Sequence, residues 1–576
     1  MKNTNVAFVN LPAKWTGRAS GGYYENKAEI KKTPQAPYGL PLGLLYVSSF
    51  LKKNCENVGK IGLIDYQTEM IGADDYKDVD EFIDKCALKN IDFKPDIVGF
   101  SVMFSSTHHF LVRCVERLKV IWPDAVFVIG GIHATNFSEV LLKKEAIDYV
   151  IRGEGEQAFK EFLDNFNDPE ALLNIKGVYN QTKIEQGGCL IITDYMQDLD
   201  EIPYPDWDLV DMESYSSEAS NMRRMEFDDQ DKSIETHAAI LMSSRGCPYR
   251  CIFCSSHTVH GRKMRYRSAG NVIAEMKELN RIFGINAYIF EDDMFICHPG
   301  KARELLTAII KLKKTIPGFE IHFPNALAVN VMQDDILDLL VEAGMRITII
   351  AVESGSSYVQ TEILHKGVNL DKAKHVVSYL RNKGVVVRTS FILGFPNETR
   401  AMMQETIDYC IDLKADWCNI NVAQPLVGTD MYQEFDEQGV LPQAELLWDN
   451  SLDKAAGFQD KQAMGGRSFD TPEISADDLL KLQYRANLII NFVNNVNLLE
   501  EKYDVAEKLF EGIVQAYDFH IVAWASLKKV KEALGKTAEA SKIDARIKEL
   551  AISDPKAKEM LESYHDLMPE YAELVA

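Results

Sequence analysis

The sequence predicts an α/β protein with a Rossmann-like parallel sheet at residues 1–198, an α/β barrel at residues 236–450 and an α-helical C-terminal domain at residues 451–576. Two observations predict the sheet and the barrel: short apolar runs alternate with helical patterns in the N-terminal region, and they do so again in the central region. Such alternation is typical of parallel sheets covered by helices. The third observation is a polar–apolar helical pattern from Ile474 onward, and residues 199–235 are expected to form a linker.

The N-terminal region contains apolar runs of strand-like length, which are Val6–Val9, Lys60–Asp65, Asp96–Val102, Ala125–Gly131 and Tyr149–Ile151. Helical patterns lie between these runs, as at residues 42–53 and 108–122. Parallel sheets of this kind bind ligands at the carboxyl ends of their strands. The loops after the strands carry glycines, which allow close backbone approach, and hydroxyls, which can donate hydrogen bonds. We therefore expect a ligand at this edge of the sheet.

The central region repeats the strand–helix pattern, with predicted strands at Ala238–Met242, Ala287–Phe290, Ile347–Ala351 and Val386–Ile392. Polar groups follow several of these strands. Arg388 and Ser390 are expected on one face of a strand, because side chains two residues apart project together. The pattern indicates an α/β barrel with polar groups at its strand ends.

Composition and charge exclude some classes of partner. The 576 residues suffice for about three to four domains. The formal net charge of −23 opposes nucleic acids, since phosphate binding needs clustered Lys and Arg. One basic stretch, Arg262–Arg267, is expected either to line the rim of a site, where an anionic substrate group could bind, or to be solvated. No apolar run approaches the roughly 20 residues that span a bilayer, and the N-terminus lacks a signal-peptide stretch, so we expect a cytoplasmic protein without a membrane partner.

Three cysteines lie directly after the strand at Ala238–Met242. Cys247, Cys251 and Cys254 have the spacing C-x3-C-x2-C. Their thiolates can bind three irons of a 4Fe-4S cluster, which normally takes four cysteines, and the open iron could bind a small molecule. A zinc site is the alternative, because His257 or His260 could supply a fourth ligand.

The cysteine spacing resembles the signature of the radical S-adenosylmethionine (SAM) enzymes, and Phe290–Phe295, Val352–Ser356 and Ile392–Pro396 resemble further stretches of that family in the same order. The resemblance implies a partial (β/α)6 barrel. It implies that the open iron binds the amino and carboxylate groups of SAM, which is cleaved to a 5'-deoxyadenosyl radical. The residues implied to bind SAM are Tyr249, Phe253, Asp292, Asp293, Glu353, Arg388, Ser390 and Gly394.

The N-terminal region resembles the cobalamin-binding domain that precedes many radical SAM domains, chiefly at Gly130-Gly131 and Gly153–Glu156. Many such domains contain D-x-H-x-x-G, whose His binds cobalt from below; here Asp65 fits the first position, but Gln67 replaces the His. Ligation of cobalt by that histidine is therefore not expected. A nucleotide-type Rossmann domain is the alternative, but its G-x-G-x-x-G fingerprint is missing after the first strand. The residues implied to bind cobalamin are Asp65, Gln67, Ser105, Ser106, Thr107, Gly130, Gly131, His133, Gly153 and Glu154.

The resemblance to cobalamin-dependent radical SAM enzymes covers residues 1–450. It implies a methyltransferase that acts on an unactivated carbon, or less often phosphorus, of a small molecule or peptide. It also implies three cofactors, the 4Fe-4S cluster, SAM and cobalamin, and an external electron donor such as flavodoxin or ferredoxin. No side chain stands out as a general base.

Two other activities stay open on the sequence. Some relatives in the resembled family form or contract rings without methyl transfer, as the anaerobic cyclase of chlorophyll biosynthesis does. A methylthiotransferase would need three further cysteines for a second cluster; Cys55, Cys86 and Cys114 are present, but their settings do not match that family. The C-terminal helices are expected to cap the barrel or to dock another protein.

Overall fold

The central strands of the N-terminal sheet are apolar and mostly buried, as expected where helices cover both faces of a sheet. In the computed structural model, which describes residues 3–12, 39–69, 76–187, 190–216, 236–325, 327–441 and 467–574, all but one residue of the first strand is buried. The side chain of Ser106 also lies outside the described part. The chain divides into two compact units. Unit 1 comprises Met1–Ala219, His237–Cys297 and Gln424–Phe469, and unit 2 comprises Ser220–Thr236, His298–Ala423 and Asp470–Ala576.

Unit 1 contains a six-stranded sheet with the order β2-β1-β3-β4-β5-β6, in which the first five strands are parallel and β6 runs antiparallel to β5. The strands are β1 (Thr4–Asn10), β2 (Val58–Asp65), β3 (Ile97–Ser101), β4 (Val126–Gly130), β5 (Tyr149–Ile151) and β6 (Val178–Tyr179). The helices that connect the strands are α1 (Leu42–Asn54), α2 (Tyr66–Glu69), α3 (Val79–Asn90), α4 (His108–Ile121), α5 (Gly131–Asn136), α6 (Ser138–Leu141), α7 (Gly155–Asp164) and α8 (Pro169–Asn174), and α9 (Gln181–Glu185) follows β6.

The rest of unit 1 carries the cysteines. Its strands are β7 (Ala238–Leu241), the antiparallel ribbon of β8 (Ser244–Arg245) and β9 (Arg265–Tyr266), and β10 (Ala287–Phe290), which is parallel to β7. Its helices are α10 (His257–His260) and α11 (Ala269–Phe283), and α16 (Asp430–Glu437) belongs to the same unit. The ribbon β8–β9 forms the base of the loop that holds the three cysteines, so its position fixes theirs.

Unit 2 contains the remaining strands, which are β11 (Glu320–His322), β12 (Ile347–Glu353), β13 (Val386–Leu393) and β14 (Trp417–Val422). The last three form a parallel sheet in the order β12-β13-β14. The helices that alternate with them are α12 (Pro299–Lys313), α13 (Asp334–Ala343), α14 (Leu370–Asn382) and α15 (Arg400–Leu413). Apart from the ribbon, the described residues from 238 to 422 thus form six strands, the number expected for a partial (β/α)6 barrel.

The C-terminal region of unit 2 is helical, as predicted. Its helices are α17 (Ala476–Leu488), α18 (Val496–Leu499), α19 (Tyr503–Ala516), α20 (Ile521–Ala533), α21 (Thr537–Ser553) and α22 (Pro555–Tyr564). Gln483 and Asn487 donate to the Ile420 carbonyl, and Asn491 both accepts from and donates to the backbone of Cys418. Amide side chains therefore satisfy the exposed backbone edge of β14. Among the described residues, no helix is long and apolar enough to cross a membrane.

Candidate functional site

The cysteine loop runs from Gly246 to Met264 between the two strands of the ribbon β8–β9. Its chain ends meet closely, because the Cys247 amide donates to the Gly261 carbonyl at 3.2 Å. Gly246 has a φ of +93°, and a Cβ there would lie 2.5 Å from the Lys263 carbonyl oxygen, so only glycine fits this turn. The loop is consequently closed at its base while its three cysteines are half-buried and accessible.

The three thiols fit a 4Fe-4S cluster as a donor set. They lie on one loop, and burial raises the pKa of the Cys247 thiol to about 11, so a bound cation is needed to favour the thiolate. Both histidines of the zinc alternative have other partners: a ring nitrogen of His257 bonds the Cys254 carbonyl, and a ring nitrogen of His260 bonds Glu154. The nearby Cys297 shares a hydrogen bond with Tyr266. Each histidine bond uses only one ring nitrogen and so does not decide between the two metals. The cluster is favoured by the donor set, because three thiols leave one iron open, whereas structural zinc takes four side chains.

Asp292, at the carboxyl end of β10, holds the start of the cysteine loop. Its carboxylate accepts hydrogen bonds from the Ser243 amide at 3.1 Å, the Ser243 hydroxyl at 2.8 Å and the Ser244 hydroxyl. Burial raises its pKa. Asp293 accepts from the Gly246 amide at 3.3 Å. The observed task of both side chains is to anchor the loop, and their contact with SAM stays a prediction.

Glu154, predicted to bind cobalamin, forms a buried ion pair with the other end of the cysteine loop. Its two carboxylate oxygens accept from the two terminal nitrogens of Arg265 at 2.6 and 2.8 Å. Burial opposes its ionisation, but hydrogen bonds from His260 and Arg265 and the charge of Arg245 outweigh burial and hold its pKa far below the usual range. Glu156 binds Arg245 at 2.6 Å. We call Glu154, Glu156, Arg245 and Arg265 the stem ion-pair cluster.

The basic stretch that the sequence placed at a rim is largely turned inward. Arg265 is 4% exposed, and Arg267 is 9% exposed and paired with Glu275 at 2.6 Å. Arg262 donates to the Tyr249 carbonyl. Neither an anionic substrate nor solvent is the main partner of these guanidinium groups, because internal carboxylates and carbonyls bind them.

The strand order of the N-terminal sheet defines where a ligand would bind. In the order β2-β1-β3, successive connections leave β1 in opposite directions, and ligands of such sheets bind in the crevice between the loops at that point. The loop after β1 lies outside the described residues from residue 13 onward, whereas the loop after β3 presents Met103 and Phe104, which are 64% and 47% exposed. Neither residue was among those predicted to bind cobalamin. This apolar pair fits the flat apolar face of a corrin, and Ser105 follows it directly.

His133 reaches this loop indirectly. Its ring is 1% exposed, with one nitrogen 3.0 Å from the Ser105 hydroxyl and the other 2.9 Å from His108. Burial lowers the pKa of His133 to about 3, so the ring is neutral at pH 7. Thr107 donates to the Phe104 carbonyl at 2.7 Å. These two side chains shape the loop from behind, while the predicted contact of the Ser106 side chain falls outside the described residues.

The glycines at this edge are required by contacts within the chain. Gly131 has a φ of +91°, and a Cβ there would lie 2.6 Å from the Val102 carbonyl oxygen. Gly153 has a φ of +97°, and its Cβ would lie 2.7 Å from the Thr193 hydroxyl. At Gly130 a Cβ would make only ordinary contacts. At two of these three glycines, therefore, the group that approaches the backbone closely belongs to the protein itself, whereas the sequence predicted a ligand there.

Asp65 and Gln67 are also engaged inside unit 1. Asp65 accepts from the Asn10 amide at 2.8 Å and from the Tyr215 hydroxyl at 2.6 Å, and burial raises its pKa. Gln67 donates to the Gly39 carbonyl at 3.2 Å. Asp65 therefore connects the ends of β1 and β2, and Gln67 holds the segment before α1; the contact of both residues with cobalamin stays a prediction.

Unit 2 carries the remaining residues predicted to bind SAM. Arg388 and Ser390 share the half-exposed face of β13, while their neighbours Val387 and Thr389 are buried, as the alternation predicted. In register, Ala351 of β12 lies beside Ser390. A cation and a hydroxyl thus project together where ligand oxygens could bind.

Two carboxylates in unit 2 have internal partners. Glu353 ends β12 with a φ of +71° and pairs with Lys366 at 2.8 Å. Gly394, with a φ of +87°, and Phe395 both donate their amides to one oxygen of Glu398, at 2.6 and 3.0 Å. Glu398 therefore holds the turn after β13, and the contact of Gly394 with SAM stays a prediction.

The two aromatic residues beside the cysteines, Tyr249 and Phe253, are half-buried in unit 1. Burial raises the pKa of Tyr249. Their partial exposure leaves surface for a ligand, and stacking on adenine stays a prediction.

Comparison with known proteins identifies two family models along the chain. The radical SAM superfamily model matches residues 241–410, and the B12 binding domain model matches residues 36–163. The first range contains the cysteine loop, and the second contains β2 to β5 of the N-terminal sheet with the β3 loop.

The chain is similar to curated proteins that are named for two different activities. Cytidylyl-2-hydroxyethylphosphonate methyltransferase of Streptomyces wedmorensis is 28% identical over 72% of this chain and 81% of its own length. Anaerobic magnesium-protoporphyrin IX monomethyl ester cyclase of Rubrivivax gelatinosus is 26% identical over 60% of this chain and 59% of its own.

Among solved structures, the radical SAM methyltransferase TsrM of Kitasatospora setae, with cobalamin and a 4Fe-4S cluster, matches with a TM-score of 0.57 at 17% identity over 76% of this chain and 75% of that chain. The cobalamin-dependent enzyme OxsB, with aqua-cobalamin and SAM, matches with a TM-score of 0.58 at 15% identity over 100% of this chain and 81% of that chain. At these identities the likeness establishes the fold, and it confirms the predicted fold class.

Proposed function

Because the chain belongs to the cobalamin-dependent radical SAM enzymes, we propose that it is a methyltransferase that methylates an unactivated carbon, or phosphorus, of a small molecule or peptide. The observation that carries this proposal is that, in unit 1, a loop with three half-buried thiols is joined by ion pairs to the region that the B12 binding model matches. Methyl transfer is also the activity named for the relative from Streptomyces wedmorensis, and the match covers 81% of that protein.

The residues of the chain divide the tasks as follows. Cys247, Cys251 and Cys254 would hold the cluster, and the β3 loop with Met103 and Phe104 would support the corrin. Arg388 would pair with the carboxylate of SAM through two parallel hydrogen bonds. When bound, the cluster and SAM supply a hydrogen-abstracting radical and methylcobalamin supplies the methyl group, so the protein contributes binding, alignment and exclusion of water.

The electron donor is part of the proposal. Reductive cleavage of SAM needs one electron from outside the chain, and we propose flavodoxin or ferredoxin as the source. Replacing either protein with a chemical reductant in the assays below separates failure of electron supply from failure of catalysis.

The methylthiotransferase alternative is disfavoured by the cysteines it would need. Cys55, Cys86 and Cys114 are each at least 92% buried, and they lie at the end of α1, in α3 and in α4. Thiols buried on three separate helices are not accessible to a shared cluster, in contrast to the three half-buried thiols of the cysteine loop.

The test is anaerobic turnover with SAM labelled in its methyl group. The first substrate probe is cytidylyl-2-hydroxyethylphosphonate, the compound named for the relative from Streptomyces wedmorensis. We expect 5'-deoxyadenosine, S-adenosylhomocysteine and label in the product. Conversion of a substrate without incorporation of label would instead support ring chemistry, as in the cyclase relatives.

A substrate-free experiment completes the test. The enzyme loaded with reduced cobalamin should form S-adenosylhomocysteine from SAM, and the absorption spectrum should change to that of methylcobalamin. Absence of this reaction would contradict a methyltransferase whatever the substrate is.

A further inference from the structure

We infer that Glu154 and Glu156 are positioning residues that join the base of the cysteine loop rigidly to the sheet of the B12 binding model. The inference rests on the proposed function, since it concerns how the two cofactor-binding parts of unit 1 are aligned. These two glutamates do not touch the cysteines. They act through Arg245 and Arg265, which are the paired residues of the ribbon at the loop base.

The pair of Glu154 with Arg265 connects residues 111 positions apart in the chain. Both side chains are 2% exposed, and the contact is bidentate. Arg265 also donates to the carbonyls of Met196 and His260, at 2.8 and 2.9 Å. Its two terminal nitrogens are thus bound on both sides, which fixes the orientation of the guanidinium plane as well as its position.

The ribbon itself requires these carboxylates. Arg245 and Arg265 face each other directly across β8 and β9, and like charges in that position repel. Glu154 lies within 3.5 Å of Arg245 as well as against Arg265, and Glu156 adds a second negative charge at 2.6 Å from Arg245. Two carboxylates therefore neutralise two guanidinium groups at the point where the loop begins and ends.

Two aromatic side chains pack against the arginines of the stem ion-pair cluster. The Arg245 guanidinium lies 5.5 Å from the ring centre of Tyr46 in α1, and the Arg265 guanidinium lies 4.7 Å from the ring centre of Tyr195. Aromatic faces on the outer side of both cations leave the carboxylates as their charged partners.

Rigid alignment matters because radical formation and methyl donation occur on different cofactors. A displacement of about 1 Å between reacting groups can cost about a hundredfold in rate. A cysteine loop held only by its backbone would move independently of the sheet, whereas the stem ion-pair cluster makes the two move together.

The experiment compares Glu154→Gln with Glu170→Gln in cofactor-loaded protein. Glu170 is an exposed residue of α8 in the same unit, so its substitution removes the same charge without touching the loop. Pulsed electron paramagnetic resonance gives the distance distribution between cob(II)alamin and the reduced cluster. We expect a broader distribution in Glu154→Gln and an unchanged one in Glu170→Gln. Equal distributions in both variants would overturn the inference.

Hydrogen exchange of the cysteine loop gives a readout that needs no cobalamin. In protein loaded with the cluster alone, loop amides should exchange at least about tenfold faster in Glu154→Gln than in Glu170→Gln. Should Glu154→Gln fail to fold, Glu156→Gln provides the second variant, because it keeps the pair of Glu154 with Arg265. It should show a smaller increase in the same amides. Unchanged exchange in the foldable variants would overturn the inference even if methyl transfer were confirmed, and failure of methyl transfer would leave this readout intact.

Discussion

In both units, acidic side chains lie at or just after the carboxyl ends of strands, but the segments that they bind differ. In unit 1, Glu154 and Asp292 bind the two ends of the cysteine loop through guanidinium, hydroxyl and amide groups. In unit 2, Glu353 binds a lysine a short distance along the chain, and Glu398 binds two amides of its own turn. The acids of unit 1 therefore connect distant segments, whereas those of unit 2 fix local turns.

In both units, burial distinguishes the side chains that support the fold from those that are candidates to bind a ligand. The carboxylates of both units are buried and have internal partners, so a new ligand would have to displace them. Arg388 and Ser390 lie half-exposed on one face of β13, and Met103 and Phe104 are exposed after β3. In each unit, the partly exposed side chains are the better candidates for contact with a cofactor.

The largest effect is expected at the cysteines. Cys251→Ala removes one of the three proposed cluster ligands, so SAM cleavage should fall to the background of the assay and bound iron should be lost. Cys55→Ala, which alters a buried thiol remote from the loop in sequence, should keep both. Retention of 5'-deoxyadenosine formation in Cys251→Ala would contradict the assignment of the cluster.

Asp292→Ala tests whether the carboxylate of Asp292 stabilises the cysteine loop. The substitution leaves the hydroxyls of Ser243 and Ser244 and one amide without their acceptor, which should cost roughly 2–4 kcal/mol in the free energy of unfolding. Cluster occupancy, measured as iron per chain after anaerobic reconstitution, should fall with it. Asp292→Asn, which keeps one acceptor oxygen, should lose less of both. Normal iron content in Asp292→Ala would show that the loop does not depend on this anchor.

Arg388→Ala tests the ligand-binding role in unit 2. Loss of a hydrogen-bonded ion pair with the SAM carboxylate should cost about 1.5–3 kcal/mol, which corresponds to a roughly 10- to 150-fold higher KM for SAM. Arg400→Ala removes an exposed arginine from the same unit and is the matched control. An equal KM in the two variants would exclude Arg388 from SAM binding.

The smallest effect concerns His133 and pH. Its pKa in the folded protein is about 3, against 6.5 for an ordinary histidine, because burial disfavours the charged ring. The stabilisation by the neutral ring is therefore complete above pH 6.5 and declines as the pH falls towards 3. Between pH 6.5 and 5.5 the wild type should lose about 1 kcal/mol more than His133→Gln in urea unfolding. Parallel pH profiles for the two proteins would contradict a buried neutral histidine.

Much of the fold follows from local sequence pattern. The strands β1 to β5 lie within two residues of their predicted ends, because buried parallel strands are continuous apolar runs. The two-residue strands β8 and β9 were missed, since so short a segment has no periodicity. The helical C-terminal region was predicted, but its amide contacts to β14 depend on three-dimensional proximity.

The parts of the candidate site that could be predicted are those encoded by residues close together in the sequence. The cysteine spacing is contained in eight residues, and it predicts the cluster loop without any information on distant contacts. The Gly153–Glu156 run and the basic stretch at 262–267 were both recognised, yet the pairing of Glu154 with Arg265 was not, because no pattern links positions 111 residues apart. Met103 and Phe104 were not among the residues predicted to bind cobalamin, since an apolar residue looks the same in sequence whether it is buried or exposed.

The most direct test of the account is the cofactor content of the purified chain. Anaerobic purification with iron, sulfide and cobalamin supplied should give protein that contains one 4Fe-4S cluster and one cobalamin per chain, measured by metal analysis and the ultraviolet–visible spectrum. Cys251→Ala should retain the cobalamin and lose the cluster. A wild-type protein that assembles the cluster but binds no cobalamin would contradict the central claim, that one chain holds both cofactors for methyl transfer.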